Sequence, residues 1–358
     1  MSRSAPSRLA AWFDERLGLS AALDFLRHKT VPMHRHSVWY YFGGVSLFLF
    51  AIQVATGLLL LVYYKPTPEA AFESVRFITA QVPFGWLIRS LHSWSANLMV
   101  LTAFIHMFSV YFLKAYRPPR ELTWLTGMGL LGLTFAFGFS GYLLPWNELA
   151  FFATKVGTDI VGSIPGIGHV LLRYVRGGDE VSAATLTRFF GWHVALLPAL
   201  LSAALGVHLL LVQRLGMSAP VERSSPARSM PFYPGFLFRD AILWLGVLGV
   251  LLALCTFLPW ELGKKADPFA PAPAGIRPEW YFTFMSQSLK YLPATVFGVE
   301  GEVVGVTAVG LGGLLFVAAP FLDRRAARGE PSPVFTAIGV AALLFMATMT
   351  ALAYLKPY

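Results

Sequence analysis

Four histidines lie inside two of the most apolar stretches of this 358-residue chain, His92 and His106 within residues 88–113 and His193 and His208 within residues 189–213. An ionisable side chain at membrane depth is costly and marks a functional site. The first pair is separated by 14 residues and the second by 15. On an α-helix either interval brings both members to roughly one face, about 21–22 Å apart along the axis. Two helices that each carry two imidazoles could hold two cofactors at two depths of a membrane, and bis-histidine ligation of haem iron is the chemistry such an arrangement serves. A lone histidine in a membrane helix often only hydrogen-bonds a neighbouring helix, but a matched repeat of two pairs has no such packing explanation. His28, His34, His36 and His169 fall outside the apolar spans and read as ordinary polar residues.

The elements that must position these rings are read from composition. With 56% hydrophobic and 13% charged residues, the chain reads as an all-α integral membrane protein rather than a globular one. Apolar runs long enough to cross about 30 Å of hydrocarbon fall near residues 38–62, 86–113, 122–144, 189–212, 241–258, 303–321 and 334–355, seven in all. The first four spans form an N-terminal bundle that holds the histidines, and three more follow. This divides the chain into a cytoplasmic amphipathic segment (1–36), a four-helix di-haem domain (37–216), a cytoplasmic linker (217–238) and a three-helix domain (239–358). Residues 1–29 lack a compact apolar core with a small-residue cleavage site, so no signal peptide is expected.

Basic residues near span ends set the orientation. A cytoplasmic N-terminus places Arg27, Lys29, Arg35, Lys114, Arg117, Arg120, Arg214, Arg223, Arg228, Arg324, Arg325 and Arg328 on the cytoplasmic side. Lys155, Arg173, Arg176, Lys264 and Lys265 lie opposite, in long loops where the rule is weak. The net charge of +9 is thus a topology signal. Its dispersal at helix ends argues against a nucleic-acid partner. Cys255 stands alone in an apolar span, and there is neither a CxxCH motif nor an iron–sulfur ligand set. Redox chemistry here must therefore use non-covalent cofactors or partners.

Two crossings separate the starts of the histidine helices, so the two run the same way. His92 then faces His193 near the non-cytoplasmic side, and His106 faces His208 nearer the cytoplasm. Gly43 and Gly57 repeat the 14-residue interval in the first span, as do Gly127 and Gly141 in the third. Such glycines let a flat macrocycle or a neighbouring backbone come close. Arg89 precedes His92 by three residues, and either meets a haem propionate or snorkels at the helix end.

Several strings resemble the cytochrome b of quinol-oxidising cytochrome bc complexes: Gln53-Val54-Ala55-Thr56-Gly57, Gly85-Trp86-Leu87-Ile88-Arg89-Ser90-Leu91-His92, Arg120-Glu121-Leu122-Thr123-Trp124, Gly141-Tyr142-Leu143-Leu144-Pro145-Trp146, Thr185-Leu186-Thr187-Arg188-Phe189 and, above all, Pro278-Glu279-Trp280-Tyr281. The likeness runs from about residue 24 to the end. The 15-residue histidine interval and the three C-terminal spans are nearer to cytochrome b6 followed by subunit IV, here fused in one bacterial chain. Cytochrome b6 anchors an extra c-type haem through a cysteine early in its first helix. Tyr41 stands at that position, so no covalent haem is expected there, and non-covalent binding of a third is left open.

The resemblance implies two b-type haems with His92, His193, His106 and His208 as axial ligands of the iron, and a quinol-oxidising site at the non-cytoplasmic surface. In that site Glu279 would accept a quinol proton, Pro278 would fix the loop, and Trp280 and Tyr281 would shape the cavity. Residues 151–160, with Lys155 and Asp159, either form another wall of the pocket or simply pack at the interface. For the cytoplasmic quinone site Asp24, His34, Arg35, Gln213 and Arg214 are candidates. One electron would go to a Rieske iron–sulfur partner and then a c-type cytochrome, the other by way of the two histidine pairs to quinone near the cytoplasm. A homodimeric, proton-translocating complex in the bacterial cytoplasmic (inner) membrane follows by the same likeness. The competing readings are a di-haem anchor that links quinone to another dehydrogenase or reductase, and a haem-binding paralogue that oxidises no quinol.

Overall fold

In hydrocarbon every backbone N–H and C=O must be satisfied internally, so long apolar runs form helices. The computed structural model of the chain describes residues 8–220 and 228–355. Arg223, the rest of linker residues 221–227, and residues 1–7 of the N-terminal segment lie outside that description. Helices α1 (Arg8–Leu17) and α2 (Leu19–His28) come first, then strand β1 (Thr30–Met33) and the first span, which closes with α3 (Tyr41–Leu61). The short α4 (Ala71–Gln81) leads to α5 (Gly85–Phe112) and α6 (Glu121–Leu143). Three shorter helices, α7 (Glu148–Gly162), α8 (Gly168–Arg176) and α9 (Ala183–Gly191), precede α10 (Leu197–Leu215). Strand β2 (Arg228–Pro231) is followed by α11 (Leu237–Phe257), α12 (Trp280–Leu289) and the hairpin β3 (Thr295–Val296) and β4 (Val299–Glu300). Helices α13 (Gly301–Val317), α14 (Ala319–Leu322), α15 (Arg324–Ala327) and α16 (Pro333–Leu355) complete the fold.

Among the described residues six helices are long and apolar enough to cross a membrane, and α13 is a shorter apolar one. The all-α membrane architecture and the order of its spans agree with the expectation, with three refinements. The fourth span starts as early as Ala183, because α9, a π turn at Trp192–Leu196 and α10 are continuous. The fifth starts at Phe232, inside the stretch expected to be linker. The sixth is α13 continued by α14 after Ala318. Two small antiparallel ribbons are also present: β1 pairs with β2, Thr30 opposite Pro231, and β3 with β4. The first ties the N-terminal segment to the end of the linker. Leu9, Trp12, Phe13 and Leu17 of α1 are exposed, as suits a surface-lying amphipathic segment.

The C-terminal part is sewn onto the bundle by polar bonds from buried or interfacial side chains. At one end, Trp94 Nε1 donates to the Leu258 carbonyl (2.8 Å) and Asn147 Nδ2 to that of Leu262 (2.7 Å). At the other, Trp124 Nε1 donates to the Phe316 carbonyl (2.9 Å), Tyr111 Oη to that of Phe335 (2.8 Å) and Tyr116 Oη to Asp323 Oδ2 (2.6 Å). Tyr111, Tyr116, Trp124, Ala319 and Ala326 make one buried cluster around these bonds. The two halves of the chain therefore share a core.

Candidate functional site

Helices α3 and α5 pack side by side, as do α6 and α10, and the four histidines project from α5 and from the α9–α10 span. The ring centres of His92 and His193 are 6.3 Å apart with planes at 71°. That separation suits one metal ion between two imidazole nitrogens at about 2 Å from each. His106 lies against Gly43 of α3 and His208 against Gly127 of α6, the second pair of the repeat. The extra residue in the His193–His208 interval is taken up by the π turn at Trp192–Leu196. A π turn inserts one residue into an α-helix, so the second pair keeps the angular offset of the first.

Each glycine of the two repeats lies against one histidine. A Cβ would stand 3.1 Å from His106 Cε1 at Gly43, 3.3 Å from His92 Cε1 at Gly57, 3.3 Å from His208 Cε1 at Gly127 and 2.5 Å from His193 Cε1 at Gly141. Between Gly43 and Gly57, on the same helical face, Leu47, Phe50 and Val54 line an apolar cavity of about 520 Å³ that Leu205 also borders. Three rings are held by hydroxyls: Thr56 Oγ1 is 2.9 Å from His92 Nδ1, Thr126 Oγ1 3.0 Å from His208 Nδ1 and Ser140 Oγ 3.2 Å from His193 Nδ1. The same hydroxyls donate to carbonyls of their own helices, Thr56 to Ile52 (2.6 Å), Thr126 to Leu122 (2.9 Å) and Ser140 to Phe137 (3.2 Å). Each oxygen is therefore left to accept, which puts the ring proton on Nδ1 and the lone pair on Nε2.

These features fit haem. Among the described residues no group of three or more His, Cys, Asp or Glu side chains could hold a bare metal ion; the His92/His193 pair offers two ligands across one point. Arg120 Nε, Thr123 Oγ1 and Ser218 Oγ are buried without hydrogen-bond partners among the described residues. All three lie at the end of the bundle where α6 begins and α10 ends, where carboxylates of a bound ligand would satisfy them. Arg89, 5% exposed, donates to the carbonyls of Trp260 and Glu261, so two of its nitrogens hold the loop after α11. The Tyr41 ring stacks on Phe236, centres 4.7 Å apart at 9°.

At the other end, Pro278-Glu279-Trp280-Tyr281 bridges α5 and α6. Trp280 Nε1 donates to Asn97 Oδ1 on α5 (2.8 Å). Tyr281 lies parallel to Phe135 of α6, ring centres 6.0 Å apart, with its hydroxyl against Gly138. Glu279 stands at the N-cap position of α12 without a capping bond from its side chain, and burial pushes its carboxyl up to about 7. Tyr281 is raised by burial and by the nearby Glu279. Pro278 borders a cavity of about 270 Å³ together with Val156 and Ile160 of α7. Within the expected wall 151–160 it is thus the apolar residues that line the space. Lys155 turns to Glu180 (2.8 Å) and Asp159 to the buried Arg176 (2.7 Å).

The cytoplasmic candidates separate. Asp24 pairs with Arg27 at the surface, Arg35 Nε donates to His36 (2.8 Å), His34 pairs with Tyr40 Oη (2.6 Å), and Gln213 accepts from Lys29. Asp240, which the sequence reading passed over, is 7% exposed, sits against Gly44, and has an Oδ1 without a hydrogen-bond partner among the described residues. Its signal was a carboxylate at the head of an apolar run. For the three ring-holding hydroxyls the signal was their place, each immediately before its glycine.

Residues 27–216 match the family model for cytochrome b/b6/petB, and residues 265–357 that for cytochrome b (C-terminal)/b6/petD. The cytochrome bc complex cytochrome b subunit of Chlorobaculum thiosulfatiphilum is 51% identical over 343 residues, 94% of this chain and 79% of that one. Cytochrome b6 of Synechococcus sp. (strain JA-3-3Ab) is 43% identical over 215 residues, 60% of this chain and 100% of that one. A chain from the structure of a hyperthermophilic respiratory Complex III superposes with a TM-score of 0.85 at 31% identity, covering 97% of this chain and 92% of that one.

Proposed function

Because this chain belongs to the cytochrome b/b6 family and carries both family regions in one polypeptide, we propose that it oxidises quinol at its non-cytoplasmic side as the cytochrome b subunit of a quinol:cytochrome c-type oxidoreductase. The observation that carries this reading is the union, in one fold, of four glycine-backed histidines in two pairs with a half-buried carboxylate in a clamped loop. When bound, two b-type haems supply one-electron redox centres, one at each histidine pair.

The chain's own residues do the rest. His92 with His193, and His106 with His208, offer Nε2 lone pairs from opposite helices, while Gly43, Gly57, Gly127 and Gly141 keep the approach to each ring clear. Glu279 accepts a proton from the quinol hydroxyl and releases it to the outer aqueous phase. A carboxyl near pH 7 is poised to do both. Pro278 shapes the loop, and Trp280 and Tyr281 fix it to α5 and α6. The third nitrogen of Arg89 is oriented by the two carbonyls it already holds and reaches for a propionate. On the cytoplasmic side, Asp240 against Gly44 and the bonded pair His34 and Tyr40 are the polar groups offered to a quinone-reducing site.

The partners in this reading are a Rieske iron–sulfur protein, a c-type cytochrome and a second copy of the chain, in the cytoplasmic membrane of a bacterium with the N-terminus inside. A di-haem anchor has no use for a proton-accepting carboxylate in a loop clamped to the histidine helix. The test is quinol-dependent reduction of a c-type cytochrome by the purified complex. Substitution of Glu279 by Gln slows it by about 10² or more and leaves the haem content intact; unchanged turnover overturns the reading.

A further inference from the structure

The ring-holding hydroxyls follow a rule that fails once. Thr56 precedes Gly57, Thr126 precedes Gly127 and Ser140 precedes Gly141, and each hydroxyl lies on Nδ1 of the histidine its glycine faces. Before Gly43 stands Phe42, whose ring stacks on Trp39. The histidine that Gly43 faces is His106, and its Nδ1 is buried with no hydrogen-bond partner among the described residues. The pair His92/His193 thus has both rings held by an accepting oxygen, and the pair His106/His208 only one.

An acceptor on the far nitrogen of a ligating imidazole makes the ring a stronger donor to the metal. Stronger donation stabilises the ferric over the ferrous state and lowers the reduction potential, for which outer hydrogen bonding is one of the protein's levers. We propose that the missing hydroxyl at position 42 is a tuning device that leaves the cofactor site of His106 and His208 the more oxidising of the two. This rests on the reading of both pairs as haem ligands. It gives the asymmetry a direction: an electron entering at the His92/His193 end finds the downhill site nearer the cytoplasm, and the direction is written in one residue preceding a glycine. Thr56, Thr126 and Ser140 are positioning residues in this scheme, acting through the histidines.

The experiment is a reductive potentiometric titration of the complete complex in membranes, following both haem spectra. Phe42→Thr supplies the absent acceptor and lowers the potential of the His106/His208 haem, changing the electron distribution between the two sites by up to about tenfold, or 59 mV for one electron. Thr126→Val acts on the same haem with the opposite sign, and Thr56→Val raises the other. Phe42→Leu removes the ring without adding a hydroxyl and leaves both potentials in place, and Thr56→Ser restores the wild-type value. If Phe42→Thr and Thr126→Val leave the potentials unmoved while two haems are bound, the proposal is overturned and the ligand reading stands. If His106→Ala costs no haem, the ligand reading itself fails. Should Phe42→Thr not assemble, the opposite-signed valine variants decide alone.

Discussion

Gly141 lies so close beneath the His193 imidazole that a Cβ there would stand 2.5 Å from Cε1, well inside any real carbon–carbon contact. The other three glycine–histidine contacts leave 3.1–3.3 Å. Gly141→Ala therefore forces the ring or the helix to move, at a cost of about 1–3 kcal/mol for overpacking. Gly57→Ala and Gly127→Ala are tolerated better. Haem content of the purified variants checks the order: Gly141→Ala loses most, Gly43→Ala less, Gly57→Ala and Gly127→Ala least. Equal losses at all four would detach the glycines from the rings.

His193 and His208 are 15 residues apart yet keep the offset of a 14-residue pair, because one residue is absorbed by the π turn. Deleting Ala195 from that turn shortens the interval to 14 in a regular α-helix, and both haems are retained. Deleting Ala103 between His92 and His106 has no π turn to draw on. It rotates one ring by about 100° relative to the other, and the spectrum falls to a single haem.

Much of this was legible beforehand for a simple reason. Spans of 20 or so apolar residues have one stable form in hydrocarbon, so α3, α5, α6 and α16 were readable to within a few residues. The histidine and glycine repeats were readable because helical geometry turns an interval into a face. What escaped is held by contacts between distant segments. The β1–β2 ribbon pairs residues about 200 apart, and neither Thr30–Met33 nor Arg228–Pro231 shows an alternation that would announce it. The partner of Trp280, Asn97, looks like an ordinary polar residue in an apolar helix until the loop is folded against it. The wall at 151–160 was readable from the side its loop faces, but not which residues form it: Lys155 and Asp159 are consumed in ion pairs, and Val156 and Ile160 do the lining.

Burial raises Glu279 from 4.5 to about 7. A base must be unprotonated to accept, so quinol oxidation rises with pH through about 7 and falls below it. Glu279→Gln removes that acid limb and slows turnover by about 10² or more. The stability sign follows from the same shift. A carboxyl favoured as the neutral acid in the fold contributes stability at pH below about 4.5, and loses it as the pH climbs through about 7. Melting temperatures of wild type and Glu279→Gln should therefore diverge as the pH rises, with wild type falling relative to the variant. A rate profile flat from pH 5 to 8 would exclude Glu279 as the acceptor.

Tyr116 Oη donates to Asp323 at 2.6 Å, and Asp323 is 2% exposed. Asp323 also accepts from the Ala326 amide (3.1 Å) at the start of α15. Tyr116→Phe strips a buried carboxylate of one donor, worth about 1–3 kcal/mol, across the seam between the two halves of the chain. The complex should melt at lower temperature with both haem potentials unchanged. A shifted potential would mean that the seam reaches the cofactor sites.

Two histidine pairs that each hold one haem require a fixed cofactor stoichiometry. A reductive titration of the purified protein, with pyridine haemochrome quantification, tests it most directly. Two b-type haems per chain at separated potentials are expected, with His92→Ala or His193→Ala removing one and sparing the other. One haem per chain, or none, would contradict it.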